Sequence, residues 1–89
     1  MASVVFTPAL RRFLRVPDTR VAAATVVDAL KGVFGDNPAL RSYVLDDQGA
    51  LRRHVAIYVN GEPVRDRTGL GDPVASDDEI YVFQALTGG

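Results

Sequence analysis

The 89 residues, 47% of them hydrophobic and 24% charged, fit one ordinary globular domain burying roughly 60–65% of its unfolded surface around a single modest core. Ten basic residues against eleven acidic ones leave a net charge of −1, which argues against a nucleic-acid or membrane-surface partner. With no cysteine, a disulfide, a thiolate metal site and a cysteine nucleophile are excluded, so any sulfur the protein handles is not held on its own side chain.

Arg11, Arg12 and Arg15 follow only a short apolar stretch, which does not read as a signal peptide. No stretch approaches the ~18 apolar residues of a membrane span. The expected location is cytoplasmic.

In chain order, Ser3–Thr7 is β-rich and stops at Pro8, as a first strand would. A second strand is expected between Phe13 and Ala22, interrupted by Pro17. The segment TVVDALKGVFGDNP is the clearest helix. Thr25 with Asp28 three residues on makes a start resembling a capping box, and Val26, Val27, Leu30, Val33 and Phe34 fall on one face. Gly35 and Pro38 are its expected stop, with Leu40 and Val44 as apolar plugs in the following loop. A turn is expected around Gly49. HVAIYVNGEPV reads as an internal strand turning at Asn60-Gly61, a strong hairpin signal. RTGLGDPVASDDE is punctuated loop, and EIYVFQAL is the last strand.

Two strands before the helix and the rest after it predict an α+β domain, one mixed sheet with one main helix across one face. A right-handed crossover brings the last strand beside the first, in the middle of the sheet. That is the β-grasp arrangement. The domain is expected over residues 1–85, with 86–89 a flexible tail leaving a rigid central strand. Four residues reach at most ~14 Å, enough to enter another protein's cleft.

The order of elements, TVVDAL, HVAIYVNGEPVR (His54 to Arg65), DDEIYVFQAL and the terminal TGG together resemble the MoaD/ThiS family of ubiquitin-like sulfur carriers. Within it, the chain looks most like the actinobacterial cysteine-biosynthesis type. The resemblance spans nearly the whole chain and is weakest from Leu10 to Ala22. It implies that the protein is a co-substrate, not an enzyme. The carboxylate of Gly89 is adenylated with ATP by an E1-like enzyme, converted to a thiocarboxylate with a sulfur donor, and its sulfur is passed to an acceptor synthase. That synthase is either cysteine-synthase-like or a molybdopterin synthase large subunit, and a metallopeptidase is a possible further partner. No cofactor is expected to be bound. An α-carboxylate with a reference pKa of about 3.3–3.7 is ionised at neutral pH and a poor electrophile until it gains a leaving group. Lacking Cβ atoms, Gly88 and Gly89 thread a narrow channel, with Thr87 completing the threading tail. The alternative is an incidental end.

Phe83 alternates away from Ile80 and Val82. With Leu86 it is assigned to a partly exposed, partner-binding patch beside the tail; the alternative is a core ring. His54, the only histidine, is expected at a strand end rather than as a base. Asp46-Asp47 and Asp77-Asp78-Glu79 lack the spacing of a calcium loop, so no metal is expected. The segment Gly69–Gly71 is too short for a phosphate cradle. The arginines read as solvated surface, with Arg53 or Arg65 available to steer an acidic partner. Two further functional readings stay open: a molybdopterin synthase small subunit, and a ubiquitin-like modifier joined through Gly89 to lysines.

Overall fold

A computed structural model describes residues 1–7 and 19–84. The elements are β1 (Ala2–Phe6), β2 (Thr19–Val21), α1 (Val26–Asp36), α2 (Pro38–Val44), β3 (Val55–Val59), β4 (Glu62–Pro63) and β5 (Glu79–Gln84). They build one five-stranded sheet in the order β2-β1-β5-β3-β4, with β5 parallel to β1 and antiparallel to β3. The last strand therefore lies beside the first in the centre, as the β-grasp order requires.

Alternation makes the core. Ala2, Val4 and Phe6 of β1, Ile80 and Val82 of β5, and Val55 and Ile57 of β3 all point to one face. There they meet Val26, Ala29, Leu30, Val33 and Phe34 of α1 in a single apolar cluster.

The start of α1 shows how sequence becomes structure. Thr25 is the N-cap in extended conformation, and its hydroxyl accepts from the Asp28 N–H at 3.3 Å. Two further N–H groups that a helix start leaves without partners, on Val26 and Val27, donate to the carbonyls of Asp72 and Leu70 at 3.0 and 2.9 Å. The loop before β5 thus caps the helix.

At its other end the helix stops between Gly35 and Pro38 as expected, but the segment expected as a loop is a helix. The helix runs through Gly35 to Asp36, and Asn37 closes it through bonds from its backbone and side chain to the Val33 carbonyl. Pro38 does not end a loop-bound chain but opens a second helix at its first position, where a missing N–H costs nothing. Leu40 and Val44 are accordingly helical core residues, both fully buried.

Beyond α2, Asp46 Oδ1 accepts from the Gln48 and Ala50 N–H groups at 2.9 and 3.0 Å, and Gly49 takes a φ of 83°. This is the turn expected around Gly49, closed by an antiparallel bridge between Leu45 and Leu51. The β3–β4 turn has φ of 51° at Asn60 and 86° at Gly61, the left-handed pair of a type I′ hairpin. The expected second strand is present as the short β2. No helix among the described residues is long and apolar enough to cross a membrane.

Candidate functional site

The last described residue, Gln84, is held on both sides. It pairs with Val55 of β3, and its N–H donates to Thr7 Oγ1 at 3.4 Å next to the end of β1. Gln84 thus ends β5 at the centre of the sheet, between β1 and β3. Leu86, Thr87, Gly88 and Gly89, together with the boundary between residues 85 and 86, lie outside the described residues, as do Arg11, Arg12 and Arg15.

The sheet face turned away from α1 carries the side chains that alternate with the core set. Phe83 stands on it with 44% of its surface exposed, directly opposite Ala56. One pleat back, Val5, Tyr81 and Tyr58 form a row across β1, β5 and β3, all half-buried. The next row is polar, with Arg20, Ser3 and Glu79. The aromatic and aliphatic part of the face therefore lies toward the end of β5. Sequence reading found Phe83. Tyr58, Ala56 and Val5 join it only through strand register, which no single segment of the chain reveals.

At the opposite end of β5, carboxylates organise the approach. Asp66 is held below the ordinary aspartate pKa chiefly by the Gly69 N–H at 2.8 Å, then by the N–H groups of Gly71 and Thr68. Asp72 is held down by the N–H groups of Arg65 and Asp66, both at 2.9 Å. Asp78 is held down by the Ala75 N–H and the Asn60 side-chain amide, both at 2.8 Å. The segment Gly69–Gly71 is thus a carboxylate-binding turn whose anion comes from its own chain. A Cβ on Gly69 would stand 3.0 Å from Asp66 Oδ2, a tight contact to which the carboxylate would have to give way by a few tenths of an ångström.

Among the described residues no three His, Cys, Asp or Glu side chains gather as they would around a metal. His54 lies exposed in the turn before β3. Arg53 and Arg65 are also exposed, while Arg52 Nε donates to the Ser42 carbonyl at 2.7 Å and Arg67 ties down the carbonyls of Arg52 and Val55. A shallow cleft of about 440 Å³ lies beside the hairpin, lined by Val59, Asn60, Glu62, Pro63, Arg65 and Asp72 among others. Its two carboxylates are Glu62, exposed on the hairpin, and Asp72, which already accepts two backbone bonds.

Comparison with known proteins agrees with this geometry. The Haloferax volcanii "Small archaeal modifier protein 1" is 41% identical over 66 residues, which is 74% of this chain and 71% of that protein. The crystal structure of SAMP1 from Haloferax volcanii matches with a TM-score of 0.83 at 33% identity, covering 99% of this chain and 98% of that one. A chain of the Amycolatopsis orientalis BexX/CysO complex matches with a TM-score of 0.86 over 100% of both chains, and at 24% identity this likeness speaks for the fold. A model of the ThiS family matches residues 11–89, through both tail glycines. With a β-grasp sheet, a pinned central last strand and that match, the chain belongs to the ThiS family of ubiquitin-like proteins.

Proposed function

We propose that the protein is a sulfur carrier whose Gly89 carboxylate is the reacting group. An E1-like partner transfers AMP from ATP to that carboxylate, releasing pyrophosphate. A sulfur donor then displaces AMP to leave a thiocarboxylate. A second partner, a synthase of cysteine or another sulfur-containing metabolite, takes the sulfur, and hydrolysis by water returns the carboxylate. The chain supplies no catalytic group: it presents the tail from a fixed base and docks through the face around Phe83 and Leu86. The need for ATP puts these steps in the cytoplasm.

The observation that carries this reading is the family match running through Gly88 and Gly89, together with a β5 end fixed between β1 and β3. Glycine at both positions suits it, because each accepts backbone angles closed to other residues and leaves the carbonyl uncrowded. The test is pyrophosphate release by the cognate activating enzyme. The intact chain should support it; a chain lacking Gly89, or carrying Gly88→Val, should not, since a β-branched side chain narrows the backbone and thickens the thread. Equal release with all three would overturn the proposal.

A second reading has its own support. The 41%-identical relative is called a modifier, so transfer of Gly89 to protein amines is the alternative outcome of the same activated carboxyl. A molybdopterin synthase small subunit would use the same thiocarboxylate with a different acceptor.

A further inference from the structure

Of the ten basic residues, nine are arginine and one, Lys31, is lysine. The difference is chemical. A guanidinium stays protonated at every ordinary pH and is no nucleophile, whereas a lysine amine attacks activated acyl groups once it sheds its proton. Lys31 is therefore the one side chain in this sequence that can accept an acyl group as an amide.

Its setting is open and specific. Lys31 is exposed in the middle of α1 and has no hydrogen-bond or ion-pair partner among the described residues. It stands on the rim of a cleft of about 130 Å³, with Val27, Leu30, Phe34 and Leu45 below and Arg41 also lining it. Because α1 covers one face of the sheet and Phe83 lies on the other, a partner seated on the Phe83 face leaves Lys31 uncovered.

We infer that Lys31 is the acceptor through which one copy of this chain becomes joined to the activated Gly89 of another. The inference rests on the proposed activation of Gly89. The occupant of the cleft is the donor's tail. Leu86 supplies an aliphatic side chain for the apolar floor, and Thr87, Gly88 and Gly89 extend at most ~10 Å beyond it, to the rim. Lys31 Nζ, having given its proton to solvent, attacks the Gly89 carbonyl carbon. A C–N bond forms, the attacking nitrogen gives a second proton to solvent, the C–O bond to AMP breaks, and AMP leaves with the electron pair. No oxidant or reductant is involved. Since each copy offers one such amine, the products are unbranched and share one linkage.

The test activates the tail without the partner enzyme. The chain is released from an intein fusion as a C-terminal thioester, mixed with the unmodified chain, and the products are read by intact mass and peptide mapping. The expected result is a dimer in which the donor's C-terminal peptide sits on Lys31, lost with Lys31→Arg and formed more slowly when the donor carries Leu86→Ala. Absence of a dimer, linkage to the amino-terminal amine, or an undiminished dimer with Lys31→Arg would each overturn the assignment. Because the thioester bypasses adenylation, such a failure leaves the proposed function standing. Loss of pyrophosphate release with a Lys31-linked dimer still formed would do the reverse.

Discussion

Asn60 and Asp78, eighteen residues apart, are bonded side chain to side chain at 2.8 Å. The same Asn60 accepts from the Glu79 N–H at 2.9 Å, and its own N–H donates to the Glu79 carbonyl at 2.9 Å. One turn residue thus locks the β3–β4 hairpin to the first residue of the strand that carries the tail. Asn60→Ala removes both side-chain bonds and forces a Cβ residue without a polar side chain into a φ of 51°, which alanine adopts reluctantly. A loss of about 1–2 kcal/mol is expected in urea denaturation. Asn60→Gly removes the same bonds without the backbone cost and should lose less. An unchanged midpoint for the alanine variant would show that the lock contributes nothing.

Acid should loosen this end of the molecule. Asp66, Asp72 and Asp78 are all held below their ordinary pKa by N–H donors, so each binds its proton more tightly in the unfolded chain. Their contribution is fully present above the unfolded value of ~3.9 and is lost as the pH falls through the folded values. Thermal midpoints should hold from neutral pH to about pH 5 and fall steeply below about pH 4. Asp66→Asn should be less stable at pH 7, because an amide NH₂ would face N–H donors, and should show a smaller acid drop. An equal drop in both proteins would contradict the assignment.

Phe83 and Phe6 make a paired test of the two sheet faces. Phe6 is fully buried, and Phe6→Ala should cost about 3–5 kcal/mol. Phe83→Ala should cost far less and should weaken binding to the activating enzyme, measured by titration calorimetry. A large stability loss at Phe83 with unchanged binding would remove it from the docking face.

The second helix deserves its own measurement, because the sequence signal for it was misleading. Leu40 has no exposed surface, and Leu40→Ala should cost about 2–5 kcal/mol, the range for a cavity in a packed core. A residue plugging a mobile loop would lose much less.

Most of the fold is legible in single segments: the alternation of β1, β3 and β5, the Thr25 cap with its apolar face, and Asn60-Gly61. What was not legible depends on neighbours distant in the chain. Pro38 is a stop signal locally, yet it starts α2 because Asn37 has already closed α1. Leu70 looks like a loop residue between glycines but is buried with a φ of 54°, while its carbonyl takes the Val27 N–H. At the candidate site, Phe83 followed from alternation alone, whereas Tyr58, Ala56 and Val5 needed the register of three strands.

The most direct test of the central claim is the mass of the chain after incubation with its E1-like partner, ATP and a sulfur donor. The intact chain should gain one oxygen-to-sulfur exchange, mapped to Gly89. Removing Gly89, or adding one residue beyond it, should abolish the gain and leave the thermal midpoint unchanged, since the last residue of the buried core cluster is Val82. A sulfur-free chain found instead on protein amines would replace the carrier with a modifier, and neither product with the cognate enzyme would contradict the account altogether.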